Sequence, residues 1–567
     1  MGSSSYYVAA AAATTADHRL ACAAAAVLAA LALCCFIYAA WLSPAAARRR
    51  LRRAGFDGPR PSFPFGNLPE ITAMSSSSKT PPPSSSSSSA STVVCSDIHA
   101  AVFPYFARWR QAFGKVFVYW LGTQPFLYVA DPEFLKAATA GAKGKRWGKP
   151  DVFRRDRMPM FGRGLVMAEG HEWARHRNII APAFSATNLN AMIGLMQQST
   201  AKMLAEWWDG SGYSGSVVVD VEKAVVRNAA EIIARASFGL AEDDEAAARV
   251  FRKLQAMQAM LFQSNRLVGV PLARLLHVRS TYEAWRLGRE IDALLVDIID
   301  ARRRRRRQTT STTSKQHDLL SLLLAGTEAT AGGSERRLTT RELVDECKTF
   351  FFGGHETTAL ALSWTLLMLA AHPDWQTALR EEVLAELGSD QDDGGRQLLD
   401  AAALGRLTKM GWVMNEVLRL YPPSPNVQRQ ALEDVPVGGK TEMTIPRGTN
   451  MWVDVVAMHH DAALWGDDAN EFRPERFARD AVQGGCRHRM GFLPFGFGGR
   501  ICVGRNLTAM EYRVVLAMVL RRFQVSVPPE YRHAPRIMLS LRPSNGIHLR
   551  LTPLPQTTST TTSPSSD

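Results

Sequence analysis

Hydrophobic positions along this chain fall into distinct rhythms, each predicting a different element. Leu20 to Leu42 is an unbroken run of 23 residues without a charge, enough to cross a hydrocarbon core of roughly 30 Å as one helix. A cleaved signal peptide would be shorter in its apolar part, and Arg48, Arg49, Arg50, Arg52 and Arg53 follow at once, so the run reads as a retained anchor with the rest of the chain on the cytosolic side. Phe117-Val118-Tyr119-Trp120 and Pro125-Phe126-Leu127-Tyr128-Val129 read as two strands of a hairpin around Gly122. Most of the chain from Thr187 to Leu420 has helical periodicity, and Leu507, Met510, Val514, Leu516, Met518 and Leu520 predict another helix beginning just after Gly504. Phe350 to Ala371 holds a single formal charge, Glu356, in 22 residues. A second membrane span is the rival reading there, but a carboxylate facing lipid and two adjacent glycines, Gly353 and Gly354, argue for a core helix loosened at its middle.

Between these elements the punctuation is local. Gly58, Pro59, Pro61, Pro64, Gly66 and Pro69 form a stiff connector that cannot continue a helix. Ser75 to Ser91 is almost entirely Ser and Pro and reads as a flexible insertion, as does the tail. The expected division is a short flank (1–19), an anchor (20–42), a basic, proline-rich hinge with a Ser/Pro linker (43–96), one predominantly helical domain with small sheets (97–553) and a disordered tail (554–567).

Composition changes this picture little. The chain has 567 residues, 46% hydrophobic and 21% charged, which suits one large globular domain with appendages. Its seven cysteines are too scattered for a disulfide framework and suit a reducing compartment. The formal charge of +14 includes the run Arg302 to Arg307. No nucleic-acid module accompanies that run, so it is expected to be a solvated loop rather than a nucleic-acid contact.

The chemistry concentrates in Phe495-Gly496-Phe497-Gly498-Gly499-Arg500-Ile501-Cys502-Val503-Gly504. A cysteine in a glycine-rich loop just before a helix can have the free N–H groups of the first turn aimed at its sulfur, which favours the thiolate. Phe495 would shield one side, and Arg500 places a cation two residues away. The pattern F-G-x-G-x-R-x-C-x-G resembles the haem-binding signature of the cytochrome P-450 family. That resemblance implies a mainly α fold, a large helical haem domain with small β-sheets on a single N-terminal transmembrane helix, with Cys502 as axial ligand of the iron of haem b.

Other segments resemble the same family in the same order. Gly353-Gly354-His355-Glu356-Thr357-Thr358 allows the Thr357 hydroxyl to bond the Gly353 carbonyl four residues back, opening a groove; it resembles the A/G-G-x-D/E-T-T/S motif, implying that Thr357 and Glu356 handle dioxygen and relay protons. Glu416 and Arg419 share a helix face and resemble the E-x-x-R element, with Arg476 of Pro474-Glu475-Arg476-Phe477 as the implied third member of a structural network. Trp173, Arg177, Arg429 and Arg500 occupy the positions implied to bind the haem propionates. His459 and His460, adjacent and so on opposite faces of a strand, are expected to be structural rather than metal ligands.

The likeness runs from the hinge to Tyr531–Pro535 and Leu541–Pro543; these last elements, with Phe352 to Thr358 and Gly164 to Gly170, resemble the plant microsomal branch that includes hydroxylases of cytokinins, gibberellins and brassinosteroids. It implies a monooxygenase of the endoplasmic reticulum membrane acting on a lipophilic small molecule, with electrons from NADPH through a diflavin reductase and cytochrome b5 as a further donor. A surface around Arg500 and Arg505 would suit docking of an acidic partner. A reductase-independent haem-thiolate isomerase or dehydratase, and a non-catalytic haem-binding membrane protein, are the competing readings; Thr357 and the Arg500-Ile501-Cys502 spacing argue against the first, and the presence of Glu356 and Thr357 against the second.

Overall fold

The computed structural model describes residues 3–77, 97–211, 215–239, 245–263, 267–276, 278–308, 318–328, 338–388, 399–438 and 443–554. The Ser/Pro-rich segment lies outside these residues except for Ser75 to Ser77, which close a helix Leu68–Ser77, and the tail beyond Leu554 lies outside them entirely. The expected hairpin is present: Val116–Leu121 pairs antiparallel with Gln124–Val129, turning at Gly122, whose φ of +60° suits glycine. These strands open a five-stranded sheet. Gln124–Val129 pairs parallel with Asn450–Asp454, which pairs antiparallel with Asn426–Ala431, which in turn pairs antiparallel with the two-residue strand Trp147–Gly148. Register matters at that last edge: Gly148 lies opposite Gln430, so the next residue, Lys149, is carried alongside Arg429.

Helices make up the bulk of the domain, organised around Thr340–Ala371, a helix of 32 residues. Thr339 and Glu342 form a capping box at its start, each satisfying the other's backbone N–H. Nearly every residue of it is buried, which answers the membrane-span alternative: its apolar surface faces protein. Helix Val221–Phe238 crosses it at Gly354, where a Cβ would fall 2.6 Å from Cδ1 of Ile233. Glycine there is a close-approach residue. Gly353, one position earlier, faces open space with nothing within 4 Å of a built Cβ.

The run Arg302 to Arg307 is not a loop. It continues the helix Val278–Gln308, and Arg302 turns inward, 3% exposed, to pair with Asp318 at 2.9 Å and donate to the Phe238 carbonyl. An arginine run tolerates this because guanidinium can serve several acceptors at once, whereas an isolated buried charge could not be held. Arg303 reaches Thr340 Oγ1 at 2.9 Å, so this part of the run ties one long helix to the start of the other.

At the N-terminus one continuous helical stretch includes Arg19–Arg53, 35 residues, long and apolar enough to cross a membrane, with its apolar window unburied. Arg50 at its basic end pairs with Asp434 at 2.8 Å. The proline-rich connector that follows is fastened to the sheet: Gly66 bridges Leu121, and Asn67 exchanges backbone and side-chain hydrogen bonds with Trp120 at 2.8 and 2.9 Å.

Candidate active site

The loop before helix Arg505–Arg522 holds Cys502 in place through its backbone. Its N–H donates to the Phe495 carbonyl at 2.9 Å, which closes the glycine-rich turn and sets the Phe495 ring, half-buried, at its base. Gly496 and Gly498 take φ of +77° and +66°, a backbone region closed to most side chains. The sulfur is exposed, yet burial raises the thiol pKa, because the side chain looks into a cleft walled by protein rather than into bulk water. The N–H groups of Gly504 and Arg505, as the sequence predicts, together with the Arg177 guanidinium, pull that pKa down without cancelling the rise. A thiolate here therefore calls for a cation directly in front of it, the demand that a haem iron meets.

Thr357 donates its hydroxyl hydrogen to the Gly353 carbonyl at 2.9 Å, so the expected side-chain bond inside the long helix is made. Gly353 and Thr357 are accessible in the middle of an otherwise buried helix. Glu356 points to the other side and is buried. Its carboxylate accepts from Gln258 Nε2 at 2.5 Å, from Arg542 Nε at 3.1 Å and from the Ser540 hydroxyl. Sequence reasoning missed these three donors. Ser540 and Arg542 are two residues apart at the hairpin Pro535–Ile537/Leu541–Pro543, and Leu539, just before them, has φ of +89°, an unusual conformation for a bulky residue that helps turn Ser540 onto Glu356. No sequence pattern links residues so far apart.

Glu416 and Arg419 form a bidentate pair at 2.7 and 2.8 Å, both fully buried. The Arg419 guanidinium also donates to the carbonyls of His459, Ala469 and Glu471 and lies 5.0 Å over the Trp465 ring. Arg476 comes within 3.4 Å of Glu416, but its hydrogen bonds go to Asp468 Oδ1 at 2.9 Å, the Asp468 carbonyl and the Trp465 carbonyl. Asp468 is thus a fourth member that the sequence did not disclose. His459 and His460 sit in a short helix, Val455–His459, and the turn after it, not in a strand. Both serve the scaffold: His459 Nε2 accepts the Leu493 N–H at 2.9 Å and Nδ1 meets the Arg419 carbonyl, while His460 bridges Asn470 and the Leu420 carbonyl. Burial first, then Arg419, hold the His459 pKa down to about 3.

The predicted anion-binding residues converge. Arg500 pairs with Glu169 at 2.6 Å and stacks 4.8 Å over Trp173; it is turned inward, so the basic docking surface expected around Arg500 and Arg505 is left with Arg505 as its exposed member. Arg429 is buried over the Phe497 ring, and burial plus the nearby Arg500 bring its pKa down to about 10. Arg177 reaches the Ile501 carbonyl at 2.8 Å, buttressing the cysteine loop. Lys149, missed by sequence reasoning, joins them: burial, then Arg429, Arg500 and Arg157, push its pKa well below the usual value, while Glu169 opposes. Lys149, Arg429 and Arg500 thus share one carboxylate, Glu169. Such a group is incomplete without further negative charge, and the two propionates of haem fit it.

A helical domain with a cysteine loop backed by helix N–H groups, a threonine-opened helix and a buried Glu-Arg pair defines a haem-thiolate oxygenase. Residues 92–550 match the cytochrome P450 family, and the chain belongs to that family, whose members are haem-dependent monooxygenases. It is 35% identical to rice (Oryza sativa subsp. japonica) cytochrome P450 714D1, covering 90% of this chain and 91% of that protein. A cytokinin hydroxylase of Arabidopsis thaliana is 34% identical with 91% and 94% covered, and cytochrome P450 734A1 of the same plant is 32% identical with 89% and 92% covered.

Proposed function

We propose that this monooxygenase hydroxylates a lipophilic small molecule, a plant hormone, terpenoid or related metabolite, at the endoplasmic reticulum membrane, with electrons delivered from NADPH by a diflavin reductase and cytochrome b5 as an auxiliary donor. The observation that carries the reading is the pairing, within one domain, of an accessible thiol backed by N–H groups with a long helix opened at Gly353 by Thr357. The likeness to a protein named cytokinin hydroxylase supports the substrate class, and the apolar helix Arg19–Arg53 supports the membrane location.

Haem, when bound, supplies reductive activation of dioxygen and transfer of one oxygen atom, the other leaving as water. Cys502 is the residue that would ligate its iron, with Phe495 bracing the loop. Trp173, Arg177, Arg429, Arg500 and Lys149 would hold the propionates. Thr357 orients oxygen and accepts or passes a proton at its hydroxyl, and Glu356 holds the carboxylate from which that proton is replenished. Gln258, Ser540 and Arg542 fix the Glu356 carboxylate. Glu416, Arg419, Arg476 and Asp468 hold the loop that presents Cys502.

Ferrous holoprotein with carbon monoxide should show the long-wavelength Soret band of thiolate ligation, and Cys502→Ala should remove it; an unchanged band would overturn the assignment. Thr357→Ala should keep haem and divert NADPH consumption to hydrogen peroxide. Product formed at the same rate without NADPH and reductase would replace the hydroxylase reading with an isomerase.

A further inference from the structure

A crevice of about 470 Å³ lies between helix Asp151–Phe161, helix Val278–Gln308 and the first half of helix Thr340–Ala371. Its walls are largely apolar, built from Met158, Pro159 and Trp285. Glycine lets its walls pack closely at two points. At Gly162 a Cβ would lie 1.9 Å from the Asp345 carboxylate, and at Gly288 it would lie 3.0 Å from the Pro159 carbonyl. Four cations, Arg163, Arg289, Arg341 and Lys348, line it against two carboxylates, Asp292 and Asp345. Those carboxylates are already engaged: Arg341 pairs with Asp292 at 2.5 Å and with Asp345 at 2.8 Å, and Lys348 contacts Asp292. The guanidinium groups of Arg163 and Arg289 have no ion pair or hydrogen bond among the described residues, and both are exposed at the rim.

An apolar path leads to this rim. Leu275 and Leu276 are exposed just before helix Val278–Gln308, and Val278, Tyr282 and Trp285, spaced four and three residues apart, form one exposed face of that helix. Arg289, four residues after Trp285, ends the stripe. On the inner side, Arg341, Asp345 and Lys348 recur along one face of the central helix, which continues to Phe352. The Phe352 ring packs edge-on against Phe161 at 5.0 Å, one residue short of Gly353.

We propose that this crevice binds a lipophilic carboxylic acid outside the Cys502 cleft, with the apolar body against Met158, Pro159 and Trp285 and the carboxylate between Arg163 and Arg289. A neutral lipophile would leave both guanidinium groups to solvent and gain nothing from them; a small hydrophilic anion would leave the apolar walls uncovered. The Phe161–Phe352 pair separates the bound acid from the groove at Gly353. In making that acid a substrate awaiting passage the inference rests on the proposed hydroxylase reading, but binding at the crevice does not.

The test is equilibrium dialysis of the full-length holoprotein in lipid nanodiscs against 1-naphthylacetic acid and its neutral, nearly isosteric amide, without NADPH or reductase. The acid should bind about tenfold more tightly. Replacing both arginines (Arg163→Gln with Arg289→Gln) should erase the preference and leave amide affinity unchanged, while Trp285→Ala should weaken both ligands. All three side chains are exposed, so folding is not at stake. Saturating imidazole, which occupies the haem iron, should leave acid binding intact. Equal affinity for acid and amide, a preference that survives the double substitution, or displacement of the acid by imidazole would each overturn the assignment. In a separate turnover assay with NADPH and reductase, failure of hydroxylation with acid binding intact would count against the hydroxylase reading alone.

Discussion

Arg419→Lys keeps the charge at the centre of the Glu416 network and removes its geometry. The native guanidinium makes five hydrogen bonds, two to the Glu416 carboxylate and three to the carbonyls of His459, Ala469 and Glu471. A lysine ammonium has three donors on a tetrahedral head and cannot reproduce the planar fork. With one donor on Glu416 Oε2 and one each on two carbonyls, one carbonyl remains without a partner, while Glu416 Oε1 keeps only the Arg473 N–H at 2.9 Å. At about 1–3 kcal/mol for the orphaned acceptor, the loss is about 1–3 kcal/mol, a sizeable share of the roughly 5–15 kcal/mol that holds a domain together. The loop bearing Cys502 should loosen too, because His459 links Arg419 to Leu493. Urea unfolding followed by far-ultraviolet circular dichroism and by the haem Soret band would measure both, with the carbon monoxide spectrum reporting the fraction of thiolate-ligated protein. A stability loss below about 1 kcal/mol with an unchanged spectrum would refute the view that the network depends on arginine geometry rather than charge.

Gly353→Ala should be neutral or stabilising by up to about 1 kcal/mol in thermal unfolding, since helix propensity improves and no atom lies within 4 Å of the new methyl, yet product formation should fall as the groove narrows. Gly354→Ala should instead destabilise by about 1–3 kcal/mol through its clash with Ile233; equal effects at the two positions would contradict the close-approach reading. Arg542→Met removes the only cation bonded to the Glu356 carboxylate among the described residues and should raise peroxide release per NADPH consumed, with Arg542→Lys restoring part of the coupling; unchanged coupling would remove Arg542 from the proton supply. His459 and His533, held down to about 3 and about 4 chiefly by burial, bind protons more readily when unfolded, so stability should be full above about pH 6.5 and fall as pH drops toward 4, at up to about 1.4 kcal/mol per pH unit for each. His459→Gln should flatten the slope seen in thermal melts between pH 7 and 5.

The elements that read clearly from sequence are those with a strong local pattern. The charge-free run from Leu20, the hairpin strands around Gly122 and the loosened helix at Gly353 each announce themselves within a short window. Cys502, Thr357 and the Glu416–Arg419 pair are legible for the same reason, being held by neighbours in sequence. What escaped depends on chain segments meeting across long separations. Ser540 and Arg542 reach Glu356 from nearly two hundred residues away, Asp468 meets Arg476 only through the fold, and Lys149 becomes a site residue through strand register alone. Arg302 misled because a run of like charges usually marks a solvated surface, whereas here one member is drawn in by Asp318. The two histidines were placed correctly in role but not in backbone, since an aspartate cap at Asp454 starts a helical turn where an isolated dipeptide reads as extended.

The short edge strand at Trp147 has an implication for assembly. Two residue pairs join it to Gln430 and Ala431, and on either side the Leu432 N–H donates to the Arg146 carbonyl and the Lys149 N–H to Glu169. This arrangement brings Lys149 against Arg429 and Arg500, like charges whose mutual repulsion opposes closure. Glu169 offsets part of that repulsion, and on the proposed propionate role of Arg429 and Arg500 a dianionic cofactor would offset more of it. On that same role, cofactor capture and final docking of this strand would be coupled, each favouring the other.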